Sequence, residues 1–557
     1  MKDTILWLQL QPRKKSDGNA LYSSITDISE WVKRNYKLKT GEQARLYFQL
    51  LVEVNQLELS VKERLNFLEK MHLPVLLLID KLAKRYAGSA LPLTEDKAKF
   101  VEIVNTFWSE MAKGYKIIID DLSEHSFFTT FIKQKDLSCA LYYVLYYLSG
   151  QLYSNYMLYA KCSENVWRDI HQVYRFASKR NLTNKKITHH LIADLTIAES
   201  YKKILLFSLV NPYHLSVNEM EVTWHNLDKW AKFAQLNLHT IKVIKNNYTF
   251  LIQPFSDKAP FQNNYVSQPI NSVDQLDLSS DSIWGLDTKK LLKQLAVKDK
   301  YPDISHYFLE RIIKSWAGIS HRKMVRKELI EPVVIAVGVS CISQFLAEID
   351  ISPKILKIEN KPFKELEITT SEHAFYQAYL VDESSKGLRL KLNHQSEKPI
   401  APNIGEVIAV KHENGSFQIG YIRWMRESTV GDIEFGFEHL CAMAEPVQLT
   451  KYHKLHQQDE PLEKQNVLGS FVFPGTKEHQ FKPILFTHTF VEKFYNTRTD
   501  HLVMTHKTGS MNIKLIQKVN EIHDYSLYLF DKMNESDREV NTDDIKTDQF
   551  DSIWEKI

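Results

Sequence analysis

The sequence predicts a multidomain α+β protein: an N-terminal all-α helical domain, then a small antiparallel β-barrel, then a C-terminal β-rich module. Three observations carry this. Apolar residues recur at helical spacing from about residue 40 to 235. After about residue 320 the pattern becomes short alternating runs divided by turn signals. And 557 residues are too many for one ordinary core at ~100 to 200 residues per domain.

The helical elements follow in order. "SVKERLNFLEKMH" opens with Ser60 and Glu63, a capping box in which each side chain satisfies the other's free backbone N–H. Thr94 precedes Glu95 and Asp96, acids that suit the positive end of a helix dipole. "SCALYYVLYYLSGQLYSNYMLYAKC", "NVWRDIHQVYRFASKRN", "HLIADLTIAESYKKILLFSLVNP" and "VTWHNLDKWAKFAQL" continue the pattern without a fixed 34-residue repeat, which indicates a bundle or irregular solenoid. The tyrosines of the first of these are read as packing core. Residues 238 to 319 read as a strand-containing insertion, with a turn at Asn246-Asn247, followed by two helices that Asp287 and Asp303 are expected to cap.

The strand-like runs "AFYQAYLVDE", "GLRLKLN", "EVIAVKHENGSFQIGYIRWMRE" and "DIEFGFEHL" come next, with Asn414-Gly415 as a type I′ hairpin signal. A second β-rich segment spans "VLGSFVFPG" to "YSLYLFDK", and an acidic tail follows Met533. The divisions expected are 1–237 helical, 238–319 insertion and connecting helices, 320–450 barrel, 451–540 C-terminal module and 541–557 tail.

Composition excludes several function classes. Lys plus Arg number 71 against 68 Asp plus Glu, a net charge of +3, so no global field draws the chain to a nucleic-acid polymer or a membrane surface. Any anion site must be local. Cys139, Cys162, Cys341 and Cys441 lie far apart with no metal-ligand spacing, which favours reduced thiols, a cytoplasmic location and no zinc. "MKDTILWLQL" alternates like a strand and lacks a signal-peptide pattern, and no run approaches the ~18 apolar residues that span a bilayer. Phosphate-binding loops, HExxH, the GxSxG elbow and stretches that would make or degrade a cyclic dinucleotide are missing, so no enzyme and no cofactor is expected.

Two motifs stand out. In "SHRKMVRKELIEPVVIAVGV", Arg322 and Arg326 form an RxxxR pair directly before an apolar strand, and two planar guanidinium forks there can clamp a phosphodiester or a base edge. His321 and Lys323 can add charge to the same arm. In "YLVDESSKGLRLKL", Asp382, Ser384 and Gly387 spell DxSxxG across a strand-turn-strand, offering acceptors, a hydroxyl and a site of close backbone approach. Taken singly, each is ordinary: a charged linker and an Asx turn. Trp424 reads as filling a barrel face, with Arg423 and Arg426 solvated.

In order, RxxxR, a strand, DxSxxG and then "GYIRWMRESTVGDIEFGFEHL" resemble the PilZ domain family over residues 320 to 447. That family folds as a six-stranded antiparallel barrel and binds the bacterial second messenger cyclic di-GMP. The resemblance implies that Arg322 and Arg326 grip phosphates and guanine edges from an arm that folds over the barrel. It implies that Asp382, Ser384 and Gly387 form the guanine-contacting surface. The chain departs from the family in the extra length between Arg326 and Asp382, where "CISQFLAEIDISPKILKIENKPFKELEI" reads as a short helix and a charged loop. The expectation is a cyclic di-GMP receptor that passes the signal to a protein partner through its helical domain. The rivals are a structural adaptor with a degenerate barrel and a single-stranded RNA binder, the latter disfavoured by the near-neutral charge.

Overall fold

The computed structural model describes residues 8, 10–15, 21–89, 91–123, 131–187, 195–238, 248–263, 283–297, 300–319, 326–348, 375–392, 403–428, 432–451, 467–475, 482–494, 501–506 and 509–533. The strand expected within residues 1–10, the Asn246-Asn247 turn and the tail beyond Met533 lie essentially outside them.

Helices α1 (Ile28–Asn35), α2 (Thr40–Gln56), α3 (Val61–Ala83), α4 (Glu95–Ser123), α5 (Phe131–Tyr156), α6 (Val166–Lys179), α7 (Ile197–Leu209) and α8 (Val217–Trp230) form the N-terminal part. Their starts are written in the sequence. Ser60 with Glu63, Thr196 with Glu199 and Ser216 with Glu219 all close capping boxes. The tyrosine-rich stretch is core, as its spacing indicates: Tyr115 of α4 stacks on Tyr143 of α5 at 4.7 Å between centroids, and Tyr115, Tyr143 and Tyr147 are fully buried.

Four short strands, β1 (Gln235–Asn237), β2 (Phe250–Ile252), β3 (Phe261–Gln262) and β4 (Trp284–Asp287), then pair in the order β1-β4-β2-β3. Helices α9 (Lys289–Leu295) and α10 (His306–Trp316) follow. The cap expected at Asp303 is supplied instead by Ser305, whose hydroxyl accepts from Phe308 N at 3.2 Å. Asp287 sits one position before the N-cap Thr288 and accepts from Lys289 N at 2.8 Å. At the far end of α10, buried Trp316 donates its indole N–H to the Leu206 carbonyl at 2.9 Å, which ties α10 to α7.

The β-rich half holds two closed six-stranded antiparallel barrels. The first consists of β5 (Lys327–Val337), β6 (Phe375–Ser384), β7 (Gly387–Leu392), β8 (Val407–Lys411), β9 (Phe417–Glu427) and β10 (Ile433–Cys441), in the order β10-β7-β6-β5-β8-β9, with α11 (Val339–Glu348) after β5. The second consists of β11 (Glu445–Lys451), β12 (Leu468–Phe473), β13 (Ile484–His488), β14 (Leu502–His506), β15 (Gly509–Ile522) and β16 (Tyr525–Lys532), in the order β11-β12-β13-β16-β15-β14, with a single helical turn α12 (Val491–Phe494) after β13. Strand β11, which a division at residue 450 assigns to the first barrel, pairs with β12 and β14 of the second.

The β8–β9 hairpin corrects one expectation. A type I′ turn needs positive φ at both Asn414 and Gly415, but only Gly415 adopts it, at 83°. Gly415 N donates to the His412 carbonyl at 3.0 Å, and Asn414 Oδ1 accepts from Ser416 N at 2.9 Å. The loop is therefore longer than two residues, and the Asn side chain, rather than its backbone freedom, shapes it.

The chain divides into two compact units, one comprising Met1–Pro332, Tyr376–Ile404 and Ile422–Glu438, the other Val333–Phe375, Gly405–Tyr421 and His439–Ile557. The first barrel is shared between them: β6, β7 and the end of β9 group with the helices, whereas β8 and the start of β9 group with the second barrel.

Candidate ligand site on the first barrel

Leu388, Leu390 and Leu392 of β7 point into the barrel, so Gly387, Arg389 and Lys391 point out. On β6, buried Ala378 and Leu380 set the same alternation, and an unbroken period of two would send Asp382 into the apolar interior. The register prevents this. Leu380 pairs with Leu390, but Asp382 pairs with Arg389, two steps on β6 against one on β7, so Val381 is bulged out. Asp382 thereby faces outward beside Arg389, and Ser384 stands opposite Gly387.

Asp382 is nonetheless only 6% exposed, because two guanidinium groups cover it. Arg326 Nη1 bonds to its Oδ1, and Arg389 Nε lies 2.7 Å from its Oδ2, close enough for an ion pair but off the hydrogen-bond direction. The network continues along the outer face. Arg389 Nη1 is 3.8 Å from Glu434 Oε2, which also takes Arg426 Nη2 at 2.8 Å. Three arginines thus share two carboxylates, which leaves one surplus positive charge on this face.

Glycine is required at position 387 by close approach, not by its φ: a Cβ there would stand 2.0 Å from the Phe437 carbonyl oxygen on neighbouring β10. Ser384 Oγ donates to the Gly387 carbonyl at 3.1 Å and closes the turn. Beside this turn a shallow cavity of about 390 Å³ is lined by Arg326, Lys327, Glu383, Ser384 and Ser385. Its volume lies in the range of small-molecule sites. Of the residues singled out by sequence, Arg326, Asp382, Ser384 and Gly387 are brought together; His321, Arg322 and Lys323 lie outside the described residues.

Sequence reasoning missed Arg389 and Glu434. The signal for Arg389 was present, since period two puts it on the face of Gly387. Trp424 does cover a barrel face: it lies over Gly436, where a Cβ would come within 1.9 Å of its indole nitrogen. Arg423 and Arg426 are exposed, as expected, and each is also paired, Arg423 with Glu438 at 2.7 Å and Arg426 with Glu434.

The far end of the barrel from the Ser384–Gly387 turn, where β9 passes to β10, is bonded to the helical part. Glu427 N donates to the Tyr159 carbonyl at 2.9 Å, and Lys161 Nζ donates to the Ser428 carbonyl at 2.7 Å. Tyr159 holds a left-handed backbone conformation, φ 55°, a sterically costly choice for a bulky residue. Burial, with Arg423 and Arg311 nearby, pulls the His214 pKa down to about 3. Among the described residues no cluster of three or more His, Cys, Asp or Glu is arranged to hold a metal ion, and no helix is long and apolar enough to cross a membrane.

Comparison with known proteins agrees with this layout. Residues 26–240 match the N-terminal domain of the cyclic-di-GMP receptor FimW, and residues 350–446 match its middle PilZ domain. The second match covers β6 to β10 and the DxSxxG motif but not the arm. A curated relative, the cyclic-di-GMP receptor FimW of Pseudomonas aeruginosa, is 21% identical over 492 residues, covering 77% of this chain and 79% of its own. With both domains matched in order, the chain carries a PilZ domain in its first barrel and a helical N-terminal domain of the FimW kind ahead of it.

Proposed function

We propose that this chain is a receptor for cyclic di-GMP and not an enzyme, with the ligand on the outer face of the first barrel and the helical part as the surface that answers to a protein partner. The observation that carries this is Asp382, turned outward by a bulge and held between Arg326 and Arg389 beside a cavity of ligand size. The relative's role as a cyclic-di-GMP receptor supports the same reading.

The residues divide the ligand between them. Arg326, with Arg322 from the arm and His321 and Lys323 adding charge, takes phosphate oxygens and guanine edges. Asp382 offers two acceptor oxygens, the complement of the paired N–H donors on a guanine edge. Ser384 and Gly387 set the turn that places them. Binding is then an exchange: a ligand phosphate competes with Asp382 for Arg326, and Arg389 remains to keep Asp382 in place.

One observation favours a second reading, a structural adaptor whose barrel takes no nucleotide. Arg326 and Asp382 already satisfy each other, so the motif has a structural use without ligand. Calorimetric titration of the full chain with cyclic di-GMP decides between the two. Saturable binding that Asp382→Ala removes supports the receptor, and the absence of heat with the unaltered chain supports the adaptor.

A further inference from the structure

The two barrels share one connectivity. Naming the strands of each a to f in chain order, the first closes as a-b-c-f-e-d and so does the second. Position by position, the second barrel lacks what makes the first a candidate site. Ahead of strand a it has Cys441, Ala442, Met443 and Ala444 in place of a basic arm. The outward positions of its strand b, which in the first barrel hold Asp382 and Ser384, are Phe471 and Phe473.

The difference extends over the whole b-c-f face. In the first barrel this face is polar: Asp382 and Ser384, then Arg389 and Lys391, then Glu434 and Glu438. In the second it is apolar: Phe471 and Phe473, then Ile484 and Phe486, then Tyr525 and Leu527. The latter six do not belong to their barrel's interior, which is filled by Val447, Leu449, Val472, Leu485, Leu502 and Met504 among others. They pack instead into one cluster with Ile342, Phe345 and Leu346 of α11 and with Val407, Ala409 and Ile419 of the first barrel's d and e strands. Gly469, also on strand b, is pressed against Val339 of α11.

We propose that the C-terminal barrel is a second, ligand-blind copy of the PilZ-type barrel. The face that would hold a nucleotide has become its docking surface for α11 and the a-d-e side of the first barrel. The contact is heterologous, joining unlike faces, so in principle it can repeat along a chain of barrels. The second barrel's own d and e strands point Val503, Thr505, Ser510, Asn512 and Lys514 outward, a mostly polar face unlike the one that docks here. Of the two barrels, the first alone then carries a ligand face among the described residues. The docking holds whatever that face binds; the count of one rests on the receptor reading above.

The test uses the full chain. A Cβ at Gly469 would lie 3.9 Å from that of Val339, within the ~3.5 to 4.5 Å that a disulfide spans. The double variant Val339→Cys, Gly469→Cys, treated with oxidised glutathione, is expected to form an intramolecular 339–469 disulfide, identified by peptide mass spectrometry and missing from either single variant. A folded double variant, by circular dichroism, that forms no such bond overturns the docking. Should that pair fold poorly, Phe486→Asp serves instead: it is expected to speed amide exchange in both 339–348 and 468–473, and an effect confined to β12 and β13 overturns the docking. Calorimetry with cyclic di-GMP supplies the other arm. Asp382→Ala is expected to remove all binding, and residual saturable binding lost on changing second-barrel residues would overturn the ligand-blind assignment. If the unaltered chain binds no cyclic di-GMP, the receptor reading falls while the disulfide still decides the docking.

Discussion

Arg326→Ala separates the structural from the ligand-binding use of one guanidinium group. In the free protein the Arg326 side chain is 31% exposed and that of Asp382 8%, so their pair is neither a surface contact nor a fully buried one. Exposed pairs contribute about 0.2 to 1 kcal/mol, and breaking a buried pair costs about 3 to 5 kcal/mol, chiefly by leaving a charge without a partner. Here Asp382 keeps Arg389 at 2.7 Å, so the lower end applies, and Arg326→Ala should cost the barrel about 1 kcal/mol.

Its effect on ligand follows from the same geometry. A charge-assisted bond to a phosphate is worth about 1.5 to 3 kcal/mol, roughly a ten- to hundredfold change in affinity. If the ligand draws Arg326 away from Asp382, the pair's ~1 kcal/mol must be given up, and the loss on Arg326→Ala shrinks to about three- to thirtyfold. The variants Arg326→Ala, Asp382→Ala and both together, titrated with cyclic di-GMP by calorimetry alongside urea unfolding, measure the two effects as a cycle. An Arg326→Ala chain that binds as tightly as the unaltered one removes the arm from the site. A large stability loss with no coupling to Asp382 would show that the pair seen here does not exist in solution.

Ligand addition should slow amide exchange at 326–330 and 382–387, with smaller protection at 303–318; protection confined to the barrel would exclude transmission through the arm. Gly387→Ala should cost about 1 to 3 kcal/mol in urea unfolding, since the new Cβ meets the Phe437 carbonyl at 2.0 Å and β7 must move away from β10. An unchanged midpoint would refute that fit. Burial lowers the His171 pKa to about 4 and that of His214 to about 3, while both return to about 6.5 on unfolding. The unfolded chain then binds more protons, so stability is full above about pH 6.5 and falls as the pH drops toward 4 and 3. His171→Gln should flatten that fall, and an equally steep profile in the variant would assign it elsewhere.

Much of the fold was legible because local chemistry decided it. Ser60 with Glu63 announces a helix start wherever it occurs, and period-two leucines in "GLRLKL" announce a half-buried strand. What failed was what depends on neighbours in space. Asp303 is as good a cap as Ser305 in isolation, and only the chain's path chooses between them. Nor does the sequence mark the bulge at Val381, because a bulge is a relation between two strands. Without it, "AYLVD" puts Asp382 on the wrong face, and Arg389 and Glu434 have no reason to be joined to it. The shared connectivity of the two barrels was equally hidden, since strand order within a sheet is set by pairing and not by pattern.

The bonds between the first barrel and the helical part limit how a signal can leave the site. A ligand shifts an arrangement only by its differential affinity for the two states. Among the described residues, the bonds that hold the present one include Glu427 N to Tyr159 and Lys161 Nζ to Ser428, with Lys161 N to Glu427 Oε2 at 3.4 Å, and the strained Tyr159 backbone presents its carbonyl. At about 0.5 to 1.5 kcal/mol per hydrogen bond these three bonds amount to roughly 1.5 to 4.5 kcal/mol, and backbone strain at Tyr159 subtracts from that. A ligand that binds the released state some ten- to a thousandfold more tightly would offset these bonds. The ion network offers the means, because Glu434, which holds Arg389, also holds Arg426, one residue before Glu427. On the receptor reading proposed above, a phosphate that captured Arg326 would leave Asp382 to Arg389 alone. The expected outcome is a weaker hold of Arg389 on Glu434 and faster amide exchange at the end of β9; unchanged exchange at 426–428 on ligand addition would refute this route.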